Sequence, residues 1–172
     1  MDRGFSAVVQ ELGDDEVVPG ELLDHTGRVL ILRVGGAAGP LFGEVFRRAG
    51  ETIGGLATLD AEAMLAALRS ALDGVQRLGA AVEGDKTMVD ALAPAVGAFE
   101  REVRSGRGLA AATGHARDAA EQGMKATIPM QARKGRASYL GARSVGHQDP
   151  GATSTYLLFE ALDRTVRGAS AP

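Results

Sequence analysis

Apolar residues recur along this chain at helical spacing. Phe5, Val8, Val9 and Leu12 fall at i, i+3, i+4 and i+7, one face of a helix that Gly13 closes. Pro19 suits the first position of a second helix, because its missing N–H has no helical partner there. Leu22, Leu23, Thr26, Val29, Leu30 and Val34 form its stripe, and Gly35-Gly36 ends it. Pro40 stands where a third helix opens, ahead of Leu41, Phe42, Val45 and Phe46, with an end expected near Gly50. ETIGGLA, residues 51–57, reads as a flexible link. Thr58 or Asp60 caps a fourth helix, which carries Leu65, Leu68, Leu72 and Val75. The fifth has Leu92, Val96, Phe99 and Val103, and Pro94 should kink it unless it lies in the first turns. An Ala-rich sixth helix runs from about Leu109 to Met124, and a last one carries Tyr156, Leu157, Phe159, Leu162 and Val166. VLILRV, 29–34, has the only strand-like composition. The pattern predicts an all-α domain of about seven helices, one domain over residues 1–172.

Composition narrows the classes. Apolar residues make up 45 % and aromatics 4 %, with no Trp, so the apolar mass is Ala, Leu and Val, which suits close helix packing. Net charge is −3, against the basic surplus of a nucleic-acid binder. Without Cys there is no disulfide, iron–sulfur or thiolate chemistry, and a cytoplasmic protein is expected. No apolar run reaches the roughly 18–20 residues of a membrane span, and MDRGFSAVV lacks the apolar core of a signal peptide.

Three glycine-bearing loops precede helix starts, before Leu41, Met88 and Ala152. Helix N-termini present unpaired N–H groups, and glycines let the backbone approach an anion. VGGAAGP, 34–40, can therefore cradle a phosphate, or form a plain tight turn. It is neither a P-loop nor a dinucleotide fingerprint. In GDKTM, 84–88, Asp85 or Thr87 is expected to cap the fifth helix, and Lys86 reads as a solvated cation that could also meet a phosphate. Gly79 and Gly84 can floor a flat ring. The third loop, QARKGRASYLGARSVGHQDPGATS at 131–154, is long and polar. It concentrates Arg133, Lys134, Arg136 and Arg143 in an acidic chain. Arginine suits phosphate because its planar fork donates paired hydrogen bonds. Asp149-Pro150-Gly151 makes a rigid turn whose carboxylate suits a sugar hydroxyl or an amino group. His147 reads as a hydrogen-bonded residue fixing the loop rather than as an acid–base catalyst, and His25 and His115 as ordinary helix residues. No spacing supports a metal site.

Taken in order, RGFSAVV, VGGAAGPLFG, GDKTM and the 131–154 segment resemble the nucleotide-binding L subunit (DhaL) of bacterial dihydroxyacetone (glycerone) kinase. The resemblance spans nearly the whole chain. It implies an antiparallel barrel of helices, eight in the family, with about seven here and a nucleotide at one rim. It implies ADP or ATP with Mg²⁺, and phosphoryl transfer to dihydroxyacetone held on a partner K subunit. In phosphotransferase-linked versions a phosphohistidine-carrying M subunit recharges bound ADP, and a free-standing L chain leans to that version. Some L subunits also contact a transcription regulator; a homodimer stays open.

Carried over by position, Gly36, Ala37 and Ala38 bind phosphate through the backbone. Gly79 and Met88 line the adenine, Arg136 faces the phosphates, and Asp149, Pro150 and Gly151 close over the nucleoside. Serine is common in the family where Ala38 stands, and glutamate where Ala142 stands. The family's Asp-rich stretch before RGF, which holds Mg²⁺, has no counterpart here, so no catalytic or metal-ligating residue is assigned. The expectation is a shortened form of a kinase subunit. The alternatives are a degenerate, inactive paralogue and an interaction module.

Overall fold

The computed structural model describes residues 1–12 and 18–169. Among them the secondary structure is helical throughout, as the apolar spacing predicts. It comprises α1 (Asp2–Leu12), α2 (Pro19–Arg33), α3 (Ala38–Ile53), α4 (Ala61–Gly79), α5 (Val89–Arg104), α6 (Leu109–Ala126), a 3₁₀ stretch (Arg136–Ser144) and α7 (Pro150–Ala169). VLILRV lies in α2 and its C-cap, not in a strand. The expected stop at Gly13 lies outside the described residues. Contacts divide the chain into two compact units, Met1–Ala80 and Ala81–Pro172.

In the first unit α2 packs on α3 through glycines. A Cβ at Gly50 would meet the carbonyl of Gly20 at 2.5 Å, and one at Gly43 the carbonyl of Gly27 at 2.8 Å. Gly50 is thus a packing position, and α3 runs past it to Ile53, ending where Gly54 takes φ +58°. Asp60 caps α4 by accepting the Ala63 N–H at 2.8 Å. Gly74 of α4 lies against Glu44 and Arg48 of α3. The chain reverses over 54–60, so the end of α4 with Gly79 returns towards the end of α3 that begins at Ala38. Phe5 of α1 stacks edge-on against Phe46 at 5.7 Å. Val9, placed by its spacing on the apolar face, is 73 % exposed.

In the second unit α5 is the most buried helix, with Leu92, Val96, Phe99 and Val103 all inside. Burying such side chains stabilises by about 1.5–3 kcal/mol each. Pro94 sits within α5, past the first turn. It cannot donate to the carbonyl of Asp90, and Gly123 of α6 packs against that carbonyl. α7 buries Ala152, Thr155, Phe159 and Asp163, while Leu157 is 51 % exposed. Asp163 accepts from Thr113 at 3.2 Å, from Arg167 at 2.8 Å and from Arg117, pinning α7 to α6. The starts of α5 and α7 and the end of α6 share one end of this unit: Gly123 meets Asp90, and the Asp149 N–H donates to Thr127 at 3.0 Å.

Candidate nucleotide-binding residues

Of the sequence-derived residues, Gly36, Ala37, Ala38 and Gly79 belong to the first unit, and Met88, Arg136, Asp149, Pro150 and Gly151 to the second. In the first, α2 ends at Val34 in extended geometry, Gly36 turns at φ +69°, and α3 starts at Ala38 with no side-chain cap. The amides of this start are therefore free of a capping side chain. Gly39 permits the turn, because a Cβ there would strike the Val34 carbonyl. The same unit has a cleft of about 500 Å³ lined by Gly20, Asp24, His25, Arg28, Arg47 and Glu51. Its charges neutralise one another, Arg28 on Asp24 at 2.7 Å and Arg47 on Glu51 at 3.0 Å.

The second unit holds a denser polar network. Asp90 reaches back to accept the N–H groups of Gly84 at 2.6 Å and Thr87 at 2.7 Å. Asp85, expected as a cap, instead accepts the Val82 N–H at 3.1 Å, while Thr87 accepts the Val89 N–H at 3.2 Å. The expectation of a solvated Lys86 is corrected. It is 3 % exposed, at φ +62°, and its ammonium donates to the carbonyls of Met130 at 3.0 Å and Ser144 at 2.5 Å. Those partners lie far along the chain, which is why local sequence does not reveal them.

The 131–154 stretch is neither core nor formless. It folds into a 3₁₀ stretch broken at Gly141, φ +55°. Ser144, buried, accepts the Ala132 N–H at 2.9 Å and donates to Gly141 at 2.7 Å. Arg133, Lys134, Arg136 and Arg143 are exposed. Among the described residues no acidic side chain neutralises any of the four. His147 is exposed and does not fix the loop; Lys86, Ser144 and Thr127 do.

Asp149 does not present its carboxylate outward. It is 8 % exposed and caps α7, accepting the Ala152 N–H at 2.7 Å. Burial pushes its pKa above the ordinary carboxylate range, the N–H groups of Ala152 and Gly151 pull it down, Asp90 adds to the rise and Lys86 opposes it. A Cβ at Gly151 would lie 2.9 Å from the Asp149 carboxylate and 3.2 Å from the Met88 nitrogen, so glycine lets this turn seat on residue 88. Met88 itself is 4 % exposed. Among the described residues no group of three His, Asp or Glu side chains is placed to hold a metal ion.

The first unit thus offers a helix start with no side-chain cap, and the second an exposed basic segment without acidic partners among the described residues. The chain belongs to the DAK2 domain family, whose description matches residues 1–164. It is 44 % identical over 165 residues to the ADP-binding subunit DhaL of the PEP-dependent dihydroxyacetone kinase of Escherichia coli, a match covering 94 % of this chain and 78 % of that one. It is 36 % identical over 168 residues to the DhaL subunit of PEP-dependent dihydroxyacetone kinase 1 of Listeria innocua, covering 96 % and 78 %. Its fold is similar to that of the dihydroxyacetone kinase of C. freundii, with a TM-score of 0.65 at 26 % identity over 94 % of this chain; the chain spans 28 % of that kinase's length.

Proposed function

We propose that this chain is the ADP/ATP-binding subunit of a dihydroxyacetone kinase, delivering a phosphoryl group to dihydroxyacetone held on a partner K subunit. The observation that carries the reading is the 44 % identity to the E. coli ADP-binding subunit across nearly the whole chain. The PEP-dependent relatives favour recharging of bound ADP by a phosphohistidine-carrying M subunit. We assign the polyphosphate to the backbone at Gly36, Ala37 and Ala38 and to Arg136. Gly79 and Met88 line the adenine, and the Asp149-Pro150-Gly151 turn closes over the nucleoside.

The chemistry the chain supplies is electrostatic. Uncapped N–H groups at the start of α3 stabilise anionic oxygens through the helix dipole, and the planar guanidinium of Arg136 offers paired donors to developing charge. The Asp149 turn orients the nucleoside through its backbone, since its carboxylate is occupied as a helix cap. The nucleotide, when bound, supplies the group to be transferred.

The test is ADP titration by calorimetry, followed by phosphoryl transfer to dihydroxyacetone with a cognate K subunit and the phosphotransferase chain. Saturable ADP binding and K-dependent turnover are expected. A folded chain that binds no adenine nucleotide overturns the reading. None of the helices is long and apolar enough to cross a membrane among the described residues.

A further inference from the structure

We propose that Lys86 is a positioning residue for Arg136: its buried ammonium joins the two ends of the cationic segment 131–143 and holds the guanidinium where it meets phosphate. The inference deepens the nucleotide reading of Arg136 and depends on it.

A lysine is rarely buried, because desolvating an ammonium is costly unless its donors are satisfied. Lys86 is 3 % exposed, and two of its three ammonium donors are met by carbonyls, those of Met130 and Ser144. These two residues bracket the segment that carries Arg133, Lys134, Arg136 and Arg143. The same junction is reinforced on both sides. The Arg133 N–H donates to the Asp85 carbonyl at 3.0 Å, and the Ala132 N–H to the Ser144 hydroxyl at 2.9 Å. Residues 85 and 86 thus hold residues 130, 133 and 144 at one point.

Four exposed like charges between those anchors repel one another and favour an open segment. Closing it also carries a loop-entropy cost. The two hydrogen bonds from Lys86 to the anchor carbonyls oppose that opening, although the ammonium is itself a fifth positive charge. Lys86 also sits at φ +62°, a backbone geometry that non-glycine residues keep only where the surroundings over-determine it. Two of the three ammonium donors are engaged by carbonyls and the side chain is buried, so the role assigned to Lys86 is positional. It acts on the arginine by ordering the segment before the anion arrives, which removes ordering cost from binding.

Lys86→Met keeps an apolar stem and removes the ammonium. Its effect is read by amide hydrogen exchange over 131–146, by trypsin cleavage after Arg133, Lys134, Arg136 and Arg143, and by ADP calorimetry. Val75→Ala, in α4, serves as a variant destabilised elsewhere. Lys86→Met is expected to exchange the Ala132 and Arg133 amides and to be cut in the segment at least about tenfold faster, and to bind ADP about tenfold more weakly. Val75→Ala should change none of the three. Where Lys86→Met does not fold, Lys86→Gln, which can still donate to one carbonyl, should show the same changes at smaller size. Wild-type protection of the segment, or wild-type ADP affinity, in the folded variant overturns the role of Lys86 alone. An unaltered chain that binds no ADP overturns the nucleotide reading and this role with it.

Discussion

The carboxylate of Asp149 accepts the backbone N–H of Ala152 at 2.7 Å, closing the first turn of α7 from a position 8 % exposed. A buried anion at a helix start sets two effects against each other, because the cap favours the charged form and desolvation disfavours it. Burial is the larger, so the folded-state pKa lies above the unfolded one. The folded chain therefore binds this proton more tightly than the unfolded chain. The group's contribution to stability is full below the unfolded pKa and is lost as pH rises through the raised folded value. Asp149→Asn removes the titration and keeps an oxygen that can accept from Ala152. Urea unfolding over a pH series should show the variant gaining on the wild type as pH rises through that window, then a constant difference. A difference that moves the other way contradicts the raised pKa.

Arg136 is exposed and no acidic side chain among the described residues holds it, so its removal should leave folding alone. Arg136→Ala should weaken ADP binding by about 1.5–3 kcal/mol, the range for a hydrogen bond to a charged group. Stability should change by no more than about 0.5 kcal/mol, as for a surface substitution. Calorimetry with parallel urea unfolding reads both. Unchanged affinity would take Arg136 out of the site.

The helices were legible because each buries a 3.6-residue stripe, which is written locally. Ends were harder. Gly50 looked like a stop and is a contact with α2, a fact that depends on Gly20 in another helix. The glycine turns and the basic segment were also legible, since φ preference and charge density are local properties. Lys86 and Asp163 were not. Lys86 finds its acceptors 44 and 58 residues away, and Asp163 finds Thr113 and Arg117 at separations of 50 and 46. A single sequence pairs such residues only once the fold has brought them together. The outward reading of the Asp149 carboxylate failed for a nearer reason: an Asp before Pro-Gly is as good a helix cap as it is a ligand.

Asp163 supplies a stability test for the α6–α7 contact. It is 1 % exposed and accepts from Thr113, Arg117 and Arg167. Asp163→Ala strands those donors, but Arg117 and Arg167 have side chains 32 % and 56 % exposed and can turn to water. The loss should be about 1–3 kcal/mol, as for unsatisfied donors, rather than the roughly 3–5 of breaking a fully buried ion pair. Urea midpoints measure it. A loss below about 0.5 kcal/mol would mean that apolar packing alone holds α7.

Two glycines of the second unit predict opposite signs for the same substitution. At Gly97, inside α5, a Cβ would meet only the Arg101 guanidinium at 3.5 Å, an ordinary contact with a flexible tip. Gly97→Ala should stabilise by roughly 0.5–1 kcal/mol, the helix-interior cost of glycine relative to alanine. At Gly123 a Cβ would fall on the Asp90 carbonyl and lie 3.1 Å from the Ala91 Cα, and backbone cannot swing aside. That carbonyl lacks a helical donor because residue 94 is proline, so α6 closes on a gap that only glycine fits. Gly123→Ala should cost about 1–3 kcal/mol by overpacking and should loosen the start of α5, where Asp90 organises the 84–87 turn. Thermal unfolding of the pair decides it: equal shifts of the same sign would show that the α5–α6 approach is not as close as the packing at Asp90 requires.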